Sequence, residues 1–372
     1  MTVNDALRDA DINHQVDLQQ YSNNVVARMI ALLAKVEPDL IFQLQEALEQ
    51  LGAGTFTVER LEQLLASVKM LNAAAYAQLG RELTEEMRQF TEYEAGYQFN
   101  LFRSVIPAQV VAQVDVAMIS AETVYSAAMS RPFQGRLLRQ WASSIEADRM
   151  QRIRDAVSIG FAENQSISQI VKRIRGSKAQ GYKDGILAID KRRAETVVRT
   201  AISHVAAVTR NRFYQANTDL IKSLSWLSTI DGRTSDGCMI RDRKQYSADD
   251  KHTPIGHKIP WLAGPGALHW NCRSTSVPVL KSWKELGGAD IEDFSPTTRA
   301  SMDGQIPAET TFGEWIEKQS AARQDEKLGP TRGKLLRDGK LKFDRLYDEK
   351  GVFLTLAELK QRDAEAFKRA GL

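Results

Sequence analysis

Three side chains that can bind a metal ion or act as nucleophiles lie within one short stretch of this chain. Cys238 and Cys272 are the only cysteines among its 372 residues, and His269 precedes the second by three positions. Thiolate and imidazole are the ligands that zinc prefers, usually four of them around a tetrahedron. We therefore expect these side chains to come together, and their segment is the first candidate functional site.

This set of side chains supports more than one interpretation. A structural zinc would need a fourth ligand, which His252 or His257 in the intervening loop could supply. A fourth position filled by water would instead indicate a catalytic metal. The spacing is not that of a zinc ribbon, which begins with two close cysteines. The interpretation we favour has no cofactor: both thiols are buried as small apolar groups, and His269 bonds a backbone carbonyl.

The polar residues around the cysteines fit a metal-free polar staple that fixes two strands and a loop. Asp231 can accept backbone N–H bonds from the turn that follows it and hold Arg233 or Arg273 nearby. Asn271 suits a turn conformation that most side chains resist. The predicted structural motif consists of Asp231, Arg233, Thr234, Asn271 and Arg273.

Familiar catalytic patterns are missing from the sequence. It contains neither a Gly-x-Ser-x-Gly elbow nor a His-Glu-x-x-His pair. A zinc deaminase needs Glu two residues after the His, where this chain has Asn271. A Cys nucleophile paired with His269 stays conceivable, although reactivity needs a lowered thiol pKa that a sequence does not reveal. We expect no catalytic residues and no enzymatic activity.

The elements that must position these residues are a pair of strands and the helices before them. Leu224–Ile230 and Ser274–Leu280 are strand-like and would carry the two halves of the motif side by side. Upstream, apolar residues recur at steps of three and four, which predicts helices. Pro38 suggests a break or kink in the first of them. Capping boxes predict further helix starts at Ser166, Thr311 and Thr355.

The predicted fold class is α+β and mainly α-helical, in three regions. Residues 1–134 form a helical N-terminal region, 135–285 a small α/β module with a short antiparallel sheet, and 286–372 a helical, basic C-terminal tail. The tail contains a dense basic run, within which Arg332, Lys334 and Arg337 are candidate contacts to an acidic partner.

Composition narrows the class of protein. With 43% apolar and 26% charged residues, the chain can bury substantial cores and is not wholly disordered. A net charge of +3 does not indicate a protein that binds nucleic acid non-specifically over its whole surface. No run of apolar residues approaches the ~18 that a membrane span needs. The N-terminus lacks the basic segment followed by an apolar segment that is typical of a signal peptide. We expect an intracellular protein in which a disulfide between the two cysteines would be unusual.

The motif also resembles a known family. Its order is a strand containing Trp226, an Asp-x-Arg-Thr turn, a Cys, a loop, a His-x-Asn-Cys-Arg turn and a strand ending in Val277-Pro278. This order is similar to that of the Mu F-like phage head morphogenesis family of minor capsid proteins. The helix at 193–215 and segments of the tail agree. The resemblance covers roughly 145–372, is strongest over 193–280 and fades in the N-terminal third.

Two departures from the family pattern limit what the resemblance implies. Many members carry further cysteines three positions before Cys238 and two after Cys272, where this chain has Ser235 and Ser274. A site of four thiolates is therefore ruled out. Many members also have Glu directly after an Arg-Thr pair, where this chain has Ala201, so any role of that carboxylate does not carry over.

The resemblance implies a minor head protein of a tailed bacteriophage. Such a protein acts in head assembly at the portal vertex, with a role in DNA packaging or delivery. The implied partners are the portal protein, other head proteins and packaged DNA. The implied location is the phage head, with the host cytoplasm during assembly. Two alternatives stay open: a metal-dependent enzyme or effector, and a zinc-containing nucleic-acid-binding protein.

Overall fold

Helices dominate the structure, a computed structural model that describes residues 3–52, 56–107, 110, 114–282, 285–286 and 298–372. The helices before the motif are α1 (Val3–Gly52), α2 (Val58–Leu64), α3 (Ala66–Val105), α4 (Ala121–Ser130), α5 (Leu138–Ala162), α6 (Ile167–Arg175) and α7 (Ile186–Ala216). Those within and after it are α8 (Asp236–Met239), α9 (Phe312–Glu317), α10 (Ala321–Leu328), α11 (Pro330–Arg337), α12 (Leu356–Arg362) and α13 (Ala364–Arg369). The predicted mainly helical α+β class is confirmed.

The first helix does not break where its proline predicted. Helix α1 runs for 50 residues and continues through Pro38. Proline removes one backbone hydrogen bond, but apolar side chains on both sides of it, such as Met29 and Leu44, are buried. Tertiary packing of that apolar face outweighs the local cost, because packing supplies most of the stability of helices in proteins.

The predicted capping boxes lie where the sequence placed them. Ser166 caps α6, Thr311 caps α9 and Thr355 caps α12. In each case the backbone N–H of the capping residue also donates to the Gln or Glu side chain three residues further on. Each hydroxyl accepts a backbone N–H that the first helical turn leaves unpaired. These helix starts are therefore decided locally.

A four-stranded antiparallel sheet holds the motif. Its strands are β1 (Ile221–Leu227), β2 (Gln245–Tyr246), β3 (Pro254–Ile255) and β4 (Thr275–Leu280), in the order β3-β2-β1-β4. Leu227 pairs with Thr275 where β1 ends and β4 begins. The predicted pairing of the two long strands is confirmed, although β1 lies three residues earlier than expected. A separate hairpin joins β5 (Thr298–Ser301) and β6 (Gly304–Pro307).

Packing groups the chain differently from the three predicted regions. One compact unit comprises Met1–Asp17, Tyr93–Val124 and Ala206–Leu372, and the other comprises Leu18–Glu92 and Tyr125–Val205. The predicted regions 1–134, 135–285 and 286–372 stay a prediction. In this packing, helices α1, α3 and α7 each contribute residues to both units.

Two apolar cores surround the motif in the first unit. One is built around Trp226 and includes Leu7 and Phe102 from the N-terminal helices together with both cysteines. The other joins Ile230 and Met239 to side chains of α9–α13 and the segments between them. The C-terminal region is therefore folded onto the motif.

The second unit has its own core. It contains Leu40 and Leu44 from α1, Ile153 from α5 and Ile170 from α6. In the part of the chain that the structure describes, none of the helices combines the length and apolarity needed to cross a membrane.

Candidate functional site

The two halves of the motif meet at one end of the β1–β4 pair. Strand β1 leads into the turn that contains Asp231 and then into the short helix α8, which carries Cys238. Ser235 caps this helix, its hydroxyl accepting the N–H of Cys238 at 3.4 Å. Cys272 lies three residues before β4. Antiparallel pairing of the two strands thus brings residues 34 positions apart onto one corner of the sheet.

The two cysteines and the histidine form a single cluster. Cys238 Sγ lies 3.8 Å from Cys272 Sγ and 3.3 Å from His269 Nε2. The three ligand atoms all lie within 4.8 Å of one another. Both thiols are free and buried, whereas the imidazole is partly exposed. The structure therefore brings together the three residues that the sequence singled out as candidate metal ligands.

The hydrogen bonds of the cluster shift the pKa values of the two thiols in opposite directions. The hydrogen bond between the two thiols holds the pKa of Cys272 well below its usual value, despite burial and with further help from His269. The same bond, together with burial, raises the pKa of Cys238. Burial lowers the pKa of His269, but hydrogen bonding to Cys272 and the charge of that thiolate outweigh it and raise the pKa overall.

The orientation of the histidine is set by its second ring nitrogen. Nδ1 of His269 lies 2.8 Å from the carbonyl oxygen of Trp270. A carbonyl only accepts, so Nδ1 carries a hydrogen and Nε2 faces the sulfur of Cys238. The bond to a backbone carbonyl is the one that the metal-free staple predicted, and it is also the usual outer bond of a metal-binding histidine.

Neither loop histidine joins this cluster. His257 donates from Nε2 to the carbonyl of Gln245 at 2.9 Å and accepts the N–H of Ile259 at Nδ1. His252 stacks on Trp261, with ring centroids 4.5 Å apart. Among the residues that the structure describes, the candidate metal cluster contains only the two cysteines and His269. The expectation that His252 or His257 supplies a fourth ligand is therefore wrong, because backbone bonds and ring contacts hold both elsewhere.

The residues of the predicted staple surround Asp231. Both of its carboxylate oxygens accept from the guanidinium of Arg273, at 2.6 and 2.8 Å. It also accepts the N–H of Arg233 at 2.9 Å and the hydroxyl of Thr234 at 3.2 Å. Asn271 has φ of +54°, in the left-handed region expected for it. The side chain of Arg233 is 81% exposed, and Asn271 is exposed as well.

The bonds around Asp231 also set its charge. Burial raises the pKa of the Asp231 carboxyl, but the hydrogen bonds and charge of Arg273 outweigh it, so the pKa lies below its usual value. The carboxylate is therefore ionised at neutral pH. A bidentate arginine–carboxylate pair fixes geometry as well as adding energy.

A second ion pair near the motif was not anticipated from the sequence. Arg299 donates to both carboxylate oxygens of Asp242, at 3.0 and 3.2 Å, and to the carbonyls of Ser228 and Thr310. Asp242 in turn accepts the N–H groups of Ser228 and Phe312, each at 2.8 Å. Both charged side chains are buried. No local pattern marks them, since the partners are 57 positions apart.

The candidate partner contacts Arg332, Lys334 and Arg337 lie on α11, separate from the cysteine cluster. Arg332 donates to the carbonyl of Leu354 at 2.8 Å and lies over the ring of Phe353. Arg337 forms an ion pair with Asp325 at 2.7 Å. These two guanidinium groups therefore hold the C-terminal fold together. The exposed end of the basic run lies further on, at Lys340, Lys342 and Arg345.

Comparison with known proteins supports the resemblance found in the sequence. A family model described as Phage Mu protein F like protein matches residues 151–277. The matched segment runs from within α5 to β4 and includes both cysteines, the staple and the β1–β4 pair. The resemblance is thereby confirmed over these residues. No curated protein and no solved structure matches the chain.

Proposed function

We propose that this chain is a minor head protein of a tailed bacteriophage that acts in head assembly at the portal vertex. One observation supports the proposal: the residues that match the Mu F-like family, 151–277, contain strand β1, the first residues of β4 and the Asp231–Arg273 ion pair of the staple. The ion pair and the two paired strands together form one corner of the sheet.

The role is structural in this proposal. Both thiols have an exposure of 1%, and the carboxylate of Asp231 is fully engaged by Arg273 and the turn. Groups held in this way order the fold, whereas a nucleophile must reach a substrate. The partners we propose are the portal protein and other head proteins, within the phage head and, during assembly, in the host cytoplasm.

The test is co-purification with the portal protein from cells that assemble heads, followed by localisation in purified particles by cryo-electron microscopy. We expect the full chain to co-purify with the portal and to occupy the portal vertex. Absence of the chain from particles that contain the portal would overturn the proposal.

Contact with an acidic surface, either packaged DNA or the portal, is proposed for the basic C-terminal region. The proposed contact consists of Lys334 with the exposed Lys340, Lys342 and Arg345. Arg332 and Arg337 are kept as supporting residues, because they also bond within the fold. Charged side chains that neutralise phosphates make binding depend on salt, with a slope of about −0.9 per contact for duplex DNA.

Salt dependence separates the two acidic partners. We expect Lys340→Gln/Lys342→Gln/Arg345→Gln to weaken binding and, if the partner is DNA, to reduce the salt slope by about one per lost contact. Lys69→Gln/Lys178→Gln/Lys183→Gln removes the same charge from exposed positions of the other compact unit and serves as the control. Equal binding by the two triple variants would exclude this basic end as the contact.

A further inference from the structure

Two of the three ligand–ligand distances in the cysteine cluster are close to those of a zinc site. Zinc binds sulfur at about 2.3 Å and imidazole nitrogen at about 2.0–2.1 Å, so a tetrahedron has a sulfur–sulfur edge of about 3.8 Å and a sulfur–nitrogen edge of about 3.6 Å. The corresponding distances here are 3.8 Å between the two sulfurs and 3.3 Å from Cys238 Sγ to His269 Nε2. A disulfide would need the sulfurs at about 2.05 Å.

The supporting bonds also fit a metal site. Nδ1 of His269 donates to the Trp270 carbonyl, so a neutral imidazole presents its Nε2 lone pair to the cluster. Ser228 Oγ donates to the carbonyl of Cys238 at 2.8 Å, which fixes the backbone of that cysteine. Two thiolates and one divalent cation also sum to zero charge, which removes the cost of burying an isolated charge.

We propose that Cys238, His269 and Cys272 bind one zinc ion, and that this ion joins α8 to the segment that leads into β4. Its three ligands come from the two halves of the motif that β1 and β4 bring together, so the bound ion stabilises this corner of the sheet. This inference goes beyond the role in head assembly and does not depend on it.

Metal analysis of the full chain, purified with zinc under reducing conditions, tests the site directly. We expect about one zinc per chain. Cys238→Ser, Cys272→Ser and His269→Ala should each bind at least tenfold less. His257→Ala is the matched control, because this histidine lies outside the cluster, and it should keep the metal.

A measurement on the unaltered chain guards against variants that fail to fold. Cobalt substitution should give the visible bands of a tetrahedral ion together with thiolate-to-cobalt charge transfer, and removing the metal with a chelator should lower Tm by several degrees. A wild-type chain that is folded but metal-free after zinc addition, or a cobalt complex without thiolate bands, would overturn the proposal. Zinc retained by all three ligand variants would do the same.

Discussion

The guanidinium of Arg273 clamps the carboxylate of Asp231 through two hydrogen bonds, at 2.6 and 2.8 Å, although the residues are 42 positions apart. Asp231 lies in the turn after β1, and Arg273 lies just before β4. The pair therefore closes the open end of the two central strands. It is the polar counterpart of the nearby cysteine cluster, which bridges the same two segments.

Loss of the Asp231 charge should destabilise the first compact unit. We expect Asp231→Asn to lower the free energy of unfolding by about 2–3 kcal/mol, because it breaks a partly buried, charge-assisted pair. Urea unfolding at pH 7 measures this change. Arg233→Ala, at an exposed position 3.8 Å from the same carboxylate, should cost less than about 0.5 kcal/mol.

The same pair predicts a dependence on pH. The pKa of Asp231 is lowered in the folded state, so its stabilisation is present above the unfolded pKa of about 3.9 and is lost as pH falls through the folded value. The difference in stability between wild type and Asp231→Asn should therefore shrink below about pH 4. A constant difference from pH 7 to pH 3 would contradict the role given to the charge.

The buried Asp242–Arg299 pair should matter more. Arg299→Met leaves the carboxylate of Asp242 buried without its countercharge, and we expect a loss of about 3–5 kcal/mol. Because Arg299 also bonds Ser228, the C-terminal region should become more sensitive to limited proteolysis. The double variant Asp242→Asn/Arg299→Met should cost less than the sum of the two single changes.

The control for this prediction is an exposed pair in the same region. Arg323 and Asp303 form an ion pair at 2.6 Å with both side chains 35% exposed. Arg323→Ala should cost no more than about 1 kcal/mol. If Arg323→Ala and Arg299→Met are equally destabilising, burial is not what makes the Asp242–Arg299 pair important.

A buried carboxyl in α1 should make stability fall as pH rises. In the described structure both carboxylate oxygens of Asp11 are buried without a hydrogen-bond partner. Burial raises its pKa to about 8, opposed by Arg210 and reinforced by Glu94. The folded state therefore binds more protons than the unfolded state between about pH 4 and pH 8, so stability decreases across that window.

Replacing this carboxyl with an amide tests the effect. Asp11→Asn should flatten the pH dependence and, at pH 8, raise the free energy of unfolding relative to wild type by up to about 5 kcal/mol. Thermal unfolding from pH 5 to pH 9 gives the measurement. Asp17→Asn, at an exposed position of the same helix, should leave the slope unchanged. If the decrease in stability with pH persists in Asp11→Asn, a group other than Asp11 is responsible for it.

A third thiol should strengthen the proposed zinc site. The hydroxyl of Ser274 donates to Ser228 Oγ, which itself donates to the carbonyl of Cys238, so Ser274→Cys places a sulfur near the cluster. We expect zinc affinity to rise at least tenfold, measured by competition with a chromogenic chelator. Ser276→Cys adds a thiol to strand β4 and serves as the control. Unchanged affinity in Ser274→Cys would mean that the ion does not lie between these sulfurs.

Local patterns allowed much of the fold to be predicted. The capping residues Ser166, Thr311 and Thr355 bond within their own helical turns, so the neighbouring residues suffice to place them. The two strands were predictable from their apolar residues and turn signals. Pro38 is the exception, because burial of apolar side chains over many turns outweighs one missing hydrogen bond.

The cysteine cluster was predictable for a different reason. Only two cysteines occur, and strand-like segments flank both, so few arrangements could separate them. The exclusion of His252 and His257 was not predictable, since it depends on the ring of Trp261 and the carbonyl of Gln245. The bonds that Arg332 and Arg337 form within the fold were not predictable either, because a run of basic residues has the same sequence whether its side chains face solvent or pack within the protein.

The amino-acid sequence by itself determined the helical class, the antiparallel strand pair and the segment that carries the Mu F-like motif. Only the tertiary structure decided that Asp242 and Arg299 form a buried pair and that Leu7 shares a core with Trp226. The physical reason is the range of the forces involved. Periodicity and caps act between neighbouring residues, whereas burial and ion pairing join residues that only the packed chain brings together.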